Sequence, residues 1–257
     1  MLLAIDAGNT HVVFGVYEAE RLEASWRVST PPTWTGDEVA MLLRDLFALR
    51  NVDLGKVDGV VIGSVVPNLN QGLLEAAETH LKVAPVMVGP GVKTGVRILY
   101  ENPKEVGADR IANSLAAFRK FGGPVIVIDF GTAVTYDAIS AGGEYVGGAI
   151  APGVEISLEA LIEHTARLFR VELTPPDSVI GKTTVAAIQS GLFWGFVGQI
   201  EGMVGRMSEE LGGGAHVVAT GGQAELVAGL THVIEAVEPQ LTLDGLRLIY
   251  LQNSPGG

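Results

Sequence analysis

Two stretches of this chain are written in the same grammar, half a chain apart. In "LLAIDAGNTHVVFGVY" (residues 2–17) and "VIVIDFGTAVTYDA" (125–138), an apolar run ends in a carboxylate, Asp6 or Asp129. A glycine follows two residues later, then a hydroxyl, then a second apolar run. Each reads as a β-hairpin with Asp closing its first strand and Gly in its turn. A chain that does this twice is constrained to fold as a duplicated pair of sheets, each begun by a hairpin.

The remaining elements repeat in the same order. After the first hairpin come a third strand (22–30), a helix opened by the capping-box pair Thr35 and Glu38, a β-branched strand in "GVVIGSVVP" (59–67), a helix in "NQGLLEAAETHL", and a strand in "APVMVGP" (84–90). The second half offers strands at 125–129, 133–139 and 144–150, a helix near 156–167, and a long helix over about 184–211. "HVVATGG" (216–222) mirrors "GVVIGS", and "LRLIYL" (246–251) is expected to close the set as a strand. Between the halves, a helix from Asp109 to Lys120 is stopped by Gly122 and Gly123. Hairpins placed before crossover helices imply mixed sheets, antiparallel first and parallel later. The expectation is α/β, with domains at 1–120 and 121–257 facing each other across a cleft.

Composition narrows the chemistry. With 257 residues, 47% of them hydrophobic, the chain can bury two ordinary cores. A formal charge of −12 argues against nucleic acid as a partner, while small anions remain compatible through a local positive pocket. The absence of cysteine excludes thiolate nucleophiles and zinc–cysteine sites. The five histidines have no metal-ligand spacing. The start "MLLAIDAG" reads as a first strand rather than a signal peptide, and no stretch of eighteen apolar residues runs without a charge or strongly polar residue. The expectation is a soluble cytoplasmic protein with no membrane partner.

Each Asp–x–Gly hairpin suits a phosphate. Glycine lets the backbone approach and aim its N–H at an anion, Thr10 or Thr132 adds a hydroxyl, and the carboxylate can hold a cation that faces the phosphate. One such hairpin is ordinary turn chemistry; two at equivalent places favour a nucleotide gripped from both sides. Other motifs fail. "DFG" (129–131) lacks the other protein-kinase signatures, "GKT" (181–183) has Pro176 where a P-loop needs its first glycine, and neither a dinucleotide fingerprint nor a hydrolase elbow is present. Gly191, Gly195, Gly198, Gly202 and Gly205 line one stripe of the long helix. Glycine weakens a helix, so close approach of another backbone is expected there, within the domain ahead of a dimer seam.

"DAGNT" (6–10), "GADRIAN" (107–113), "DFGTAVT" (129–135), "GGAIAPG" (147–153), "GKTTVAAIQSG" (181–191) and "TGG" (220–222), in this order, resemble type III pantothenate kinase, of the acetate-and-sugar-kinase, heat-shock-protein and actin superfamily. The resemblance covers essentially the whole chain. It implies duplicated ribonuclease H-like, actin-like domains and ATP-dependent phosphorylation of pantothenate, the first step toward coenzyme A. It implies that Asp6, Ala7, Gly8, Asn9, Thr10, His11, Val12 and Val13 hold ATP, with Thr132 as a further ATP contact. Asp109 would be the general base, Tyr100, Gly107, Ala108, Asp109, Arg110 and Thr184 would contact pantothenate, and Asp129 would hold potassium or ammonium. Magnesium and a homodimer are also implied. A carboxylate near an attacking alcohol can accept its proton, and the start of a helix favours its ionised form. Arg110 matches the geometry of a substrate carboxylate. The competing readings are another small-alcohol kinase of the superfamily and a non-catalytic transcriptional accessory protein. The second predicts degraded catalytic positions, yet Asp6, Asp109, Arg110 and Asp129 are all present.

Overall fold

A computed structural model describes residues 1–164 and 171–254. The chain forms two compact units. The first holds residues 1–120, 143–145 and 240–254; the second holds 121–142 and the described part of 146–239.

In the first unit, β1 (Leu2–Ala7), β2 (His11–Glu18) and β3 (Arg21–Ser29) form an antiparallel meander. α1 (Gly36–Leu49) follows, its first turn closed by the capping box: Thr35 accepts from the Glu38 N–H, and Glu38 accepts from the Thr35 N–H at 2.9 Å. β4 (Gly59–Ser64) then pairs parallel with β1, and α2 (Pro67–Glu75) leads to the short β5 (Val86–Met87). The sheet order is β3-β2-β1-β4-β5. Leu3 and Ile5 of β1 enter the core under α1 and α2, whereas Leu2 and Ala4 enter the core with α3 (Ala108–Phe121). Burial on both faces explains why β1 and β4 are continuous apolar runs.

The second unit repeats this plan. β6 (Val125–Phe130) pairs antiparallel with β7 (Ala133–Ile139) and parallel with β9 (His216–Gly221). With β8 (Tyr145–Pro152) and β10 (Ala236–Val237) the order is β8-β7-β6-β9-β10, the first sheet's order step for step. α4 (Val154–Glu163), α5 (Thr184–Glu210) and α6 (Ala224–Ala228) complete it. Two mixed sheets of the same topology are the duplicated α/β architecture expected of an actin-like fold. The helix expected at 156–167 is α4; residues 165–167 lie outside the described residues.

Two expectations are corrected. Residues 246–251 are not a strand but the second half of α7 (Leu241–Asn253), which belongs to the first unit. Leu243, Leu246 and Ile249 are buried at three-residue spacing in the core with α3. A short, mainly apolar segment such as "LRLIYL" fits a strand or a buried helix equally. Gly245 of α7 has a packing reason: a Cβ there would strike the backbone of Ala112 in α3. Among the described residues, no other backbone approaches the glycine stripe of α5 closely. A Cβ on Gly191, Gly195, Gly198 or Gly205 would meet nothing within 4 Å among the described residues.

Candidate active site

The first hairpin is built to hold a tight, exposed tip. Gly8 donates its N–H to His11 O at 3.0 Å, and a Cβ on Gly8 would lie only 3.1 Å from that oxygen. The Gly8 amide is thus committed to its own turn, which leaves the other N–H groups of the tip to face an anion. Asn9, Thr10 and His11 form the exposed tip, whereas Ala7 and Val12 are core residues whose backbone alone can meet a ligand. Gly8, Val13 and Asp6, at the mouth of the hairpin, are half-buried. Thr30, at the end of β3, pins the tip: its hydroxyl donates to Gly8 O at 2.6 Å and its N–H to Thr10 O at 2.9 Å. Thr30 was not singled out from sequence. The β2–β3 register, with His11 opposite Ser29, is the signal that places it there.

Asp109 stands at the same end of this sheet. The N–H of Val65, just past β4, donates to Ala7 O at 3.0 Å, and a Cβ on Gly107 would lie 3.2 Å from the Val65 side chain and would also strike Asp109 Oδ1. The glycine before the helix is what leaves room for this carboxylate. Asp109 lies in the first turn of α3, and the backbone N–H of Arg110 donates to Asp109 Oδ1 at 2.8 Å. Burial pushes the Asp109 carboxyl above its ordinary range; the Arg110 N–H and charge oppose that shift without cancelling it. The helix start was expected to favour ionisation, and desolvation outweighs it. Ala108 and Arg110 are buried, and the Arg110 guanidinium lies over the ring of Tyr145, 5.7 Å from its centroid. Tyr100 packs against the same ring, with centroids 6.2 Å apart. Tyr100, Gly107, Ala108, Asp109 and Arg110 are thus all in the first unit.

The second hairpin collects three motifs distant in sequence. Asp129 occupies the fifth position of β6 as Asp6 does in β1, with the same burial pattern along both strands. Gly131 donates to Ala133 O at 3.1 Å, so this glycine amide too is spent within its turn, and Thr132 is exposed. Gly153 of "GGAIAPG" donates to Thr132 O at 3.0 Å. Gly221 of "TGG" has φ +93°, and a Cβ there would lie 2.7 Å from Asp129 Oδ1. Thr184 is the exposed first residue of α5, whose N-cap Thr183 accepts from the Ala186 N–H at 3.1 Å. It lies in the second unit with Asp129 and Thr132. Among the described residues no three His, Asp or Glu side chains gather as a metal-ligand set.

A sequence model for the family described as type III pantothenate kinase matches residues 2–206. The chain belongs to that family. A type III pantothenate kinase of Moorella thermoacetica is 51% identical over 254 residues, spanning 99% of this chain and 100% of the relative. One from Roseiflexus sp. is 53% identical over 253 residues, spanning 98% of this chain and 99% of its own length. Among solved structures, a Campylobacter jejuni protein named as a candidate Baf family transcriptional activator superposes with a TM-score of 0.63 at 20% identity, covering 98% of both chains. An inorganic polyphosphate/ATP-glucomannokinase from Arthrobacter sp. gives a TM-score of 0.50 at 17% identity, again over 98% of both. At such identities these two speak for the fold alone. Among the described residues of this family member, no helix is long and apolar enough to cross a membrane.

Proposed function

We infer that the chain transfers the γ-phosphoryl group of ATP to the terminal hydroxyl of pantothenate, yielding 4′-phosphopantothenate and ADP, the first step of coenzyme A synthesis. The observation that carries this reading is the pairing of Asp109 and Arg110 at the start of α3, at the sheet end where the Asp6 hairpin presents its tip. Phosphoryl transfer asks mainly for alignment and charge neutralisation. Arg110 holds the pantothenate carboxylate, with Tyr100 and Thr184 as further contacts, and Asp109 accepts the hydroxyl proton as the new O–P bond forms and the β–γ bridge breaks. The tip residues Asn9, Thr10 and His11, with Thr132, meet the phosphates of ATP.

Asp6 is placed to face a magnesium ion that the phosphates carry. Asp129 suits a monovalent cation, potassium or ammonium: one half-buried carboxylate surrounded by turn backbone, with Gly221 keeping its near side open. A bound cation supplies charge neutralisation there. We place the protein in the cytoplasm and as a homodimer; the uncovered glycine face of α5 supports the second assignment.

A coupled ADP-release assay with pantothenate and a panel of other alcohols, in magnesium and potassium, tests the reading. Turnover confined to pantothenate is expected. Turnover with a different alcohol alone would move the chain to another acceptor, and none with any would leave a non-catalytic role.

A further inference from the structure

We propose that Tyr145 is the positioning residue of the acceptor-carboxylate site, holding the Arg110 guanidinium and the Tyr100 ring in the poses that bind the acceptor. The proposal rests on the pantothenate reading above.

Tyr145 begins β8, whose other residues belong to the second unit, yet Gly143, Glu144 and Tyr145 are part of the first. The segment is tied there by its backbone. Tyr145 donates its N–H to Arg97 O at 2.9 Å and accepts from the Leu99 N–H at 2.9 Å, making a parallel bridge with Ile98. Arg97 also reaches Glu144 at 3.0 Å. Two residues past this bridge stands Tyr100. The same clasp therefore fixes the backbone that carries one acceptor contact and delivers a ring against the other.

The ring is fully buried and touches both groups: Arg110 Cζ lies 5.7 Å from its centroid, and the Tyr100 ring is tilted at 56° to it with centroids 6.2 Å apart. Arginine has many rotamers, and an unrestrained guanidinium spends part of its binding energy on being ordered. A π face beneath it attracts the charge and aligns its plane without using any of its N–H donors. A residue that only filled core volume would sustain stability without affecting how the site tells a carboxylate from a neutral group.

That difference is the test. Pantothenyl alcohol keeps the acceptor hydroxyl and replaces the carboxylate with a neutral group. The readout is kcat/KM for pantothenate divided by kcat/KM for pantothenyl alcohol, in the full-length wild type, Tyr145→Phe and Tyr145→pentafluorophenylalanine. Phenylalanine retains the π face, and the fluorinated ring keeps the shape while reversing its electrostatics. The wild type and Tyr145→Phe are expected to favour pantothenate to within about twofold of each other, since both keep the face. The fluorinated variant is expected to lose on the order of 10-fold of that preference, through KM for pantothenate, with KM for ATP unchanged. Tyr145→Met, which fills the volume with no π face, is expected to follow the fluorinated variant. An unchanged ratio in both would overturn the proposal while leaving the pantothenate reading intact. A wild type that phosphorylates neither compound would overturn that reading and the proposal with it. Equal use of both compounds by the wild type would show that no carboxylate is read, and Tyr145 would then have nothing to position.

Discussion

Asp109 takes a hydrogen bond from the backbone N–H of its own neighbour, Arg110, at 2.8 Å, and yet its carboxyl stays above the ordinary carboxylate range because burial is the larger effect. A general base must be ionised to work, so the acid limb of kcat/KM for pantothenate should lie above the pH at which free carboxylates titrate. The sign for stability is opposite. A carboxyl whose folded pKa is raised binds its proton more tightly when folded, so its contribution is full below the unfolded pKa and is lost as pH rises through the folded one. Asp109→Asn should therefore lower kcat by roughly 10²–10⁴-fold and, at neutral pH, raise the unfolding midpoint. Retained turnover in this variant would remove Asp109 as the base. A lowered midpoint would mean that the carboxylate is better satisfied than its burial implies.

Asp6 stands next to last in β1, beside a turn that Thr30 pins. Asp6→Asn should raise KM for Mg·ATP and shift the magnesium optimum while leaving pantothenate affinity near its original value. Thr30→Val removes the hydroxyl bond to Gly8 O and should shift the same quantity in the same direction, by less. Calorimetric titration of each ligand separates the two effects. Loss of pantothenate binding with an unchanged ATP response would contradict the assignment of this hairpin to phosphates.

Gly245 makes a stability prediction independent of function. α7 lies so close to α3 that a methyl group at this position meets the Ala112 backbone, which cannot step aside as a side chain could. On helix propensity alone Gly245→Ala would stabilise by up to ~1 kcal/mol. The clash should reverse the sign, to a loss of about 1–3 kcal/mol. Urea denaturation of the two forms decides between them.

The duplication and both hairpin carboxylates were legible in sequence because they rest on period-two patterning and turn chemistry, which are local. What was not legible depends on partners far along the chain. α7 was read as a strand because the face that makes Leu243, Leu246 and Ile249 a helical stripe is defined only by the core they enter. The direction of the Asp109 shift was misjudged for the same reason: the helix start is visible in "GADR", but the burial that outweighs it is set by tertiary packing that the local sequence does not show. The amides of Gly8 and Gly131 are spent within their own hairpins, a closure that the turn sequence alone does not show. Tyr145 carries no motif signal at all; its bridge to Ile98 and its ring contacts with Arg110 and Tyr100 reveal it.

The glycine face of α5 should respond to bulk according to what covers it. If it is free, Gly195→Ala should stabilise the chain by up to ~1 kcal/mol through helix propensity. If a second copy covers it, as we propose, Gly195→Leu should shift the sedimentation profile toward monomer. A dimer that survives Gly195→Leu and Gly198→Leu together would place the seam elsewhere.

The last prediction joins Asp129 to Gly221. Asp129 stands next to last in a strand whose four preceding residues are fully buried, so its carboxylate sits at the edge of a core, where holding a charge costs desolvation free energy. A nearby triphosphate would raise that cost by like-charge repulsion. A singly charged ion held between this carboxylate and turn carbonyls offsets it, and does so without the strict octahedral shell that magnesium demands. Activity should therefore be low in Tris-only buffer and rise with potassium or ammonium at constant ionic strength. Asp129→Asn should flatten that response. Gly221 supplies a second, independent handle: it has φ +93°, and a Cβ there would lie 2.7 Å from Asp129 Oδ1 and 2.5 Å from Phe130 O. Gly221→Ala leaves every charge in place yet must displace the carboxylate or the backbone beside it. It should raise the potassium concentration needed for half-activation while higher potassium recovers part of the rate, a rescue that Asp129→Asn should not show. A wild type indifferent to potassium, or two variants with the wild-type half-activation, would leave Asp129 as a turn residue and return the glycine to packing alone.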